Sequence, residues 1–141
     1  MKSRRVVVTG IGAITPIGNN LQEYWESLKA GISGAAPITL FDTTNFKTKF
    51  ACEVKNFEVT DFIDRKEARK LDRFSQYAVI VSDEALKDSG LKTEEINSER
   101  AGVIWGSGIG GMKTFFQESA DFGKGSGVPR FNPFFIPKLI S

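Results

Sequence analysis

Three consecutive β-branched apolar residues, Val6-Val7-Val8, stand between Arg4-Arg5 and Thr9-Gly10-Ile11-Gly12. Apolar at every position instead of every second one, the run reads as a strand covered on both faces, as in an α/β sheet. Gly10, Gly12 and Gly18 shape the loop that follows. The period then becomes helical: Leu21, Tyr24, Trp25 and Leu28 recur at i, i+3, i+4 and i+7, with Asn20 at the N-cap, Glu23 at the capping-box position and Gly31 as the stop. Between Ser33 and Thr48, Gly34, Pro37, Asp42 and Asn45 predict mostly loop. Phe50, Cys52 and Val54 alternate with Ala51 and Glu53 as a short strand would.

The longest predicted element is a single helix from about Asp64 to Ser89, ending at Gly90, with Leu71, Phe74, Ala78, Val81 and Ala85 on its apolar side. A second strand-loop-helix unit follows: Ala101 to Trp105 as strand, Gly106 to Gly111 as loop, Met112 to Phe122 as helix. Gly123 to Arg130 reads as a glycine-rich loop, and Asn132 and Pro133 as the cap and first residue of a helix entered by Phe134, Phe135 and Ile136. With no repeat, low-complexity tail or linker, residues 1–141 read as a single α/β region.

Composition narrows the chemistry. No stretch approaches the roughly 20 apolar residues of a bilayer span, and the N-terminus lacks a signal-peptide apolar block, so the expectation is a cytoplasmic protein with no membrane partner. The net charge of +2 is too mild to argue for nucleic acid. Twelve phenylalanines are many for this length and point to an interface or an apolar cavity. One cysteine and no histidine leave too few soft ligands for a zinc site, and no reaction that needs an imidazole can be completed by these residues alone. Cys52 has no helix start or basic partner nearby to favour a thiolate, and reads as packing.

Gly106-Ser107-Gly108-Ile109-Gly110-Gly111 satisfies G-x-G-x-x-G between a strand and a helix, the context of a dinucleotide fingerprint. The expected continuation, a second strand ending in an acid about 20 residues on, is replaced by Gly123-Lys124-Gly125-Ser126-Gly127. The first loop has Thr15 where a third glycine belongs, and both loops read as backbone devices near a site. Lys66, Arg69, Lys70 and Arg73 lie at i, i+3, i+4 and i+7, on one face of the predicted long helix and near its start, where cations oppose the helix dipole. Two readings stay open on this pattern: a solvated charged face, or a docking patch for an acidic partner.

Taken together, Val6 to Gly12 with Pro16-Ile17-Gly18-Asn19, Arg65-Lys66-Glu67-Ala68-Arg69-Lys70-Leu71-Asp72, and Gly106 to Gly111 followed by Pro133-Phe134-Phe135-Ile136-Pro137 resemble the N-terminal region of the β-ketoacyl-acyl carrier protein synthases, most closely the synthase II type of bacterial fatty acid synthesis. The match covers essentially the whole chain. The resemblance implies a thiolase-like fold of two related α/β halves, layered α-β-α-β-α, working as a homodimer, with this chain as part of the first half. Such enzymes take an acyl group from a thioester onto a cysteine, decarboxylate malonyl-acyl carrier protein and join the resulting carbanion to the acyl group, with no metal or redox cofactor. In the family the nucleophilic cysteine and two histidines lie beyond the stretch matched here, so the resemblance supplies no catalytic residue and the 141 residues alone are expected to be inactive.

By position, Lys66, Arg69 and Lys70 match the residues that face the acidic acyl carrier protein. Ile109 matches the residue that lines and gates the acyl pocket, and Phe134 and Phe135 match a segment near the dimer interface and the end of the acyl tunnel. The alternatives are a noncatalytic carrier-protein-binding module and a nucleotide-binding α/β domain. Only two long-sheet strands are visible in the sequence, so the isolated chain is expected to leave sheet edges open and to aggregate.

Overall fold

Asn20 opens the first helix, α1 (Leu21–Lys29), as its sequence predicts: its side-chain oxygen accepts the Glu23 amide at 2.9 Å. The Glu23 carboxylate reaches back to the Asn19 amide at 2.8 Å, which closes the turn from the other side. Gly31, at φ +66°, then takes the left-handed conformation that ends the helix. The computed structural model of the chain describes residues 4–125 and 128–140. It divides into two compact units, one running to Phe57 with Val81–Leu91 added, the other comprising Glu58–Ile80 and Lys92 onward.

In the first unit, the segment expected to be mostly loop contains a strand. β1 (Ala36–Pro37) pairs antiparallel with β2 (Phe50–Ala51), Ala36 opposite Ala51 and Pro37 opposite Phe50. The Ile38 amide extends the ladder to the Lys49 carbonyl at 3.0 Å. Beyond the pair, Glu53 accepts the Thr39 hydroxyl at 2.7 Å and the Thr39 and Leu40 amides. Cys52, expected to be packed, is exposed.

The helix predicted from Asp64 to Ser89 is two helices. A 3₁₀ turn, Val59–Asp61, precedes α2 (Arg65–Ala68), and α3 runs from Arg73 to Ser89. The break falls at residues 69–72, where the Gln76 side-chain amide donates to the carbonyls of Ala68 at 3.0 Å and Leu71 at 3.3 Å, supplying partners that helix continuation would otherwise provide. A second 3₁₀ turn spans Thr93–Glu95. α4 (Met112–Lys124) continues two residues past its predicted end, taking in Gly123 and Lys124, and Gly125 caps it. Ser126 and Gly127, the rest of the expected glycine run, lie outside the described residues. The last helix, α5 (Phe135–Leu139), starts later than expected: Asn132 caps a turn instead, its side chain taking the Phe134 amide and its carbonyl the Phe135 amide, both at 2.8 Å. Pro137 fits in α5 because it falls in the first turn, where no amide has an intrahelical partner.

Neither predicted long strand is formed among the described residues. Residues 4–14 and 101–107 belong to no ladder, with Val6 91% and Ile104 99% exposed. A strand exists through a backbone ladder with a neighbour, and neither run forms one with a described segment. Among the described residues the buried apolar side chains are few, Ala68 at 6% and Ile80 at 7% exposure, both in the second unit. No helix among the described residues is long and apolar enough to cross a membrane.

Candidate functional site

The basic segment is built on a single turn of helix. Asp64 caps it, accepting the Lys66 amide at 2.8 Å, and Ala68 is the one residue of α2 turned inward. Arg69 closes the turn through the Arg65 carbonyl at 3.3 Å, and the Lys70 amide reaches the Glu67 carbonyl at 2.9 Å. Because the helix stops there, Lys66, Arg69, Lys70 and Arg73 do not form the continuous helical stripe their spacing predicts. Lys66, Arg69 and Lys70 sit on and just after α2, all exposed, whereas Arg73 belongs to α3 and turns its Nε to the Tyr77 hydroxyl at 2.8 Å. Lys70 is paired with Glu67 at 2.6 Å, while Lys66 and Arg69 make no ion pair among the described residues. Residues 65–70 carry four basic side chains against one acid, so the segment remains a concentrated positive charge.

The second glycine loop lies in the same unit. Gly110 is left-handed at φ +77°, and a Cβ at Gly111 would come within 2.9 Å of the Lys138 carbonyl carbon, so α5 packs directly on this backbone. The amides of Gly110, Gly111 and Met112 are already committed, to Ser107 Oγ at 2.9 Å, the Leu139 carbonyl at 3.3 Å and the Gly110 carbonyl at 2.9 Å. A dinucleotide fingerprint needs such amides for a pyrophosphate. Helix packing thus accounts for Gly111, the last glycine of the G-x-G-x-x-G pattern, and for Gly110 beside it.

Ile109 stands between these pinned glycines and Gly108, around which a Cβ would meet open space, and it is 72% exposed. The structure brings its loop together with α5. Phe135 stacks on Phe115 of α4 at 6.5 Å between ring centroids and on Phe131 at 5.3 Å, and Phe131 lies 5.5 Å from Phe122. Phe134 is 38% exposed at the start of that helix. A cleft of about 340 Å³ in this unit, lined by Glu118, Asp121, Phe122, Arg130 and Phe131 among others, involves none of Ile109, Phe134 and Phe135.

Several structural acids escaped the sequence reading. Glu84 accepts the amides of Ala13 and Leu21, and Asp88 that of Ile11. In the second unit, Asp72 accepts the Thr114 hydroxyl and Glu118 the Asn132 amide at 2.9 Å. The visible hint for the first pair is Val81, Ala85 and Ser89 at four-residue spacing, a row that lets Gly10 and Gly12 approach α3 and so brings their loop within reach of acids one position away. No group of three His, Cys, Asp or Glu residues that could hold a metal ion occurs among the described residues.

The architecture belongs to a known class. It matches the solved ishigamide ketosynthase/chain length factor with a TM-score of 0.86 at 34% identity, over 97% of this chain and 34% of that one. The fold is thus the α/β, thiolase-like fold of the ketosynthases. Residues 3–141 match the family described as beta-ketoacyl synthase, N-terminal domain, and the chain belongs to the β-ketoacyl synthase family. It is 45% identical over 141 residues to the 3-oxoacyl-[acyl-carrier-protein] synthase 2 of Synechocystis sp., and 45% identical over 142 aligned positions to that of Staphylococcus aureus strain COL. The alignments cover 100% and 99% of this chain but 34% and 33% of those relatives, so the chain spans about a third of their length.

Proposed function

We propose that the chain is the amino-terminal portion of a 3-oxoacyl-[acyl-carrier-protein] synthase of fatty acid biosynthesis. The observation that carries this reading is 45% identity, sustained along the entire chain, with the Synechocystis synthase 2. Lys66, Arg69 and Lys70 dock the acidic acyl carrier protein, and two of the three charges are not neutralised by a neighbour within the described residues. Ile109 and the Phe134-Phe135 pair line the acyl pocket, where each buried methylene of a fatty chain contributes about 0.8 kcal/mol.

The chemistry itself requires groups from outside residues 1–141. A thiol there takes the acyl group from its thioester carrier; malonyl-acyl carrier protein loses carbon dioxide; the carbanion left behind attacks the acyl-enzyme carbonyl, releasing 3-oxoacyl-acyl carrier protein and the free thiol. A thiolate at a helix N-terminus and imidazoles facing the developing charge would drive these steps. Cys52 does not serve as the nucleophile in this reading, because it follows β2, away from any helix start. The working enzyme is a cytoplasmic homodimer that covers the residues 6–8 and 103–105 left exposed here.

The test is condensation by the protein encoded by the full reading frame, given acyl-acyl carrier protein and malonyl-acyl carrier protein. Release of carbon dioxide with equal formation of 3-oxoacyl product is expected. Carrier binding without product would establish a noncatalytic binding module instead.

A further inference from the structure

Asp72 stands where the basic segment ends and α3 begins, and both of its carboxylate oxygens are engaged. Oδ1 accepts the Arg73 amide at 2.6 Å, and Oδ2 accepts the hydroxyl of Thr114. Thr114 is the third residue of α4, the helix entered from the Gly106 to Gly111 loop. The partners are 42 residues apart in sequence, so this bond joins two otherwise separate elements. Alongside it, the ring of Phe74, one residue into α3, lies 3.9 Å from where a Cβ on Gly110 would stand. At the other end, Gln76 holds the carbonyls of Ala68 and Leu71. The start of α3 therefore grips the end of the basic segment on one side and the root of the Ile109 loop on the other, all within one compact unit.

The loop has a pinned half and an open half. Gly110 and Gly111 are fixed against Lys138 and Leu139, whereas a Cβ at Gly106 or Gly108 would meet nothing within 4 Å. Ile109 lies at the boundary. Thr114 and Phe74 are the contacts that join the α3 start to that boundary. A hydrogen bond from a hydroxyl to a carboxylate is charge-assisted, roughly twice as strong as one between neutral groups, and directional, so the Asp72–Thr114 bond fixes geometry as well as contact.

We infer that Asp72 and Thr114 form a positioning pair, through which an acyl carrier protein seated on Lys66, Arg69 and Lys70 sets the placement of the Ile109 loop, so that acyl delivery from the carrier depends on their bond. This rests on the docking and pocket assignments proposed above. Neither residue touches the substrate in this account, and each acts through the loop.

The experiment uses the full-length protein and two acyl donors, an acyl-acyl carrier protein and the same acyl group on carrier-free pantetheine. Thr114→Val keeps the side-chain shape and removes the hydroxyl; Thr114→Ser restores it. The expected result is a loss of about tenfold in acyl-transfer rate from saturating carrier, with carrier Kd and the carrier-free rate changed by less than about twofold, and recovery in Thr114→Ser. Asp72→Asn, similar in shape but without the acceptor charge, should show the same carrier-specific loss at smaller size, and serves if Thr114→Val folds poorly. An equal loss with both donors makes the bond merely structural and overturns the inference, as does no loss at all. If Lys66→Glu with Arg69→Glu leaves carrier affinity unchanged in the parent protein, the docking reading itself fails, a result seen before any Thr114 variant is compared.

Discussion

The Glu84 carboxylate accepts the Leu21 amide at 2.8 Å, placing an acid of α3 at the first residue of α1. Its second oxygen accepts the Ala13 amide at 2.8 Å, and Asp88, four residues on, takes the Ile11 amide at 2.9 Å. Two acids on one helix thus hold the first glycine loop at two points and the start of α1 at a third, where Glu84 also stabilises the positive end of the α1 dipole. No residue in the loop itself announces this.

Replacing Glu84 by alanine leaves the amides of Ala13 and Leu21 unpaired in a part-buried setting. Each half-buried orphan costs about 1–3 kcal/mol, so the urea midpoint of the full-length protein should fall clearly. Glu84→Gln, which keeps one acceptor oxygen, should lose less. An unchanged midpoint for the alanine variant would contradict the role given to this side chain.

Two glycines should respond in opposite ways to the same substitution. A Cβ at Gly12 would lie 2.9 Å from the Val81 carbonyl carbon and 3.0 Å from the Ala85 nitrogen, backbone atoms that cannot rotate aside. Gly12→Ala should therefore cost about 1–3 kcal/mol by overpacking. Gly123, inside α4 with nothing within 4 Å, pays only glycine's backbone entropy, and Gly123→Ala should raise stability by about 0.5 kcal/mol. Thermal melts of the two variants beside the parent decide the matter; movement in the same direction would refute the packing argument.

The carrier binding proposed for Lys66, Arg69 and Lys70 should weaken as salt rises, since the screening length shrinks from about 10 Å at 0.1 M to about 3 Å at 1 M. The three residues should not contribute equally. Lys70 is already paired with Glu67 at 2.6 Å, so its reversal to glutamate should weaken binding less than reversal of Lys66 or Arg69. Calorimetric titration of each single variant with acyl carrier protein tests the order, and salt-independent binding would exclude this surface.

Glu53 titrates below the ordinary glutamate value of 4.5, chiefly because the Thr39 hydroxyl donates to it, with help from the Thr39 and Leu40 amides and the Lys55 charge against a smaller opposing effect of burial. A folded-state value lower than the unfolded one means that this contact contributes fully above the unfolded value and is lost as pH falls through the folded one. Protonation of Glu53 in acid should hence weaken its contact with Thr39 and Leu40. A side-chain titration followed by NMR should place Glu53 below 4.5 and move it upward in Thr39→Val; no shift between the two proteins would remove the hydroxyl as the cause.

The 141 residues on their own should aggregate or melt without cooperativity, because Val6, Val7 and Val8 and the run Val103-Ile104-Trp105 are all at least 56% exposed and belong to no β-ladder. A sharp reversible melt from a monodisperse monomer would show this expectation to be mistaken.

Local rules were readable wherever the partner is local. The Asn20 cap, the Gly31 stop and the helical stretch after Gly111 depend on residues within a few positions of one another, so their sequence patterns carry the full cause. The family too was legible, because the spacing of the three motif segments survives along the chain. The break at residues 69–72 was not: apolar periodicity runs through Leu71 and Phe74 without interruption, and the carbonyls freed there find the Gln76 side chain only once the chain has turned. The packing of Gly110 and Gly111 against Lys138 and Leu139 likewise depends on residues brought together by folding.

The same division holds for the site. Sequence alone determined which side chains carry charge or apolar surface: Lys66, Arg69, Lys70, Ile109, Phe134 and Phe135. It also determined that no imidazole is available among these residues. Tertiary structure decided which of the basic residues keep their charge exposed and uncompensated, and which backbone amides are already spent. It also decided that Asp72 and Thr114 meet across 42 residues. Charge and hydrophobicity are properties a residue brings with it, whereas a hydrogen bond between distant segments exists only after both have been placed.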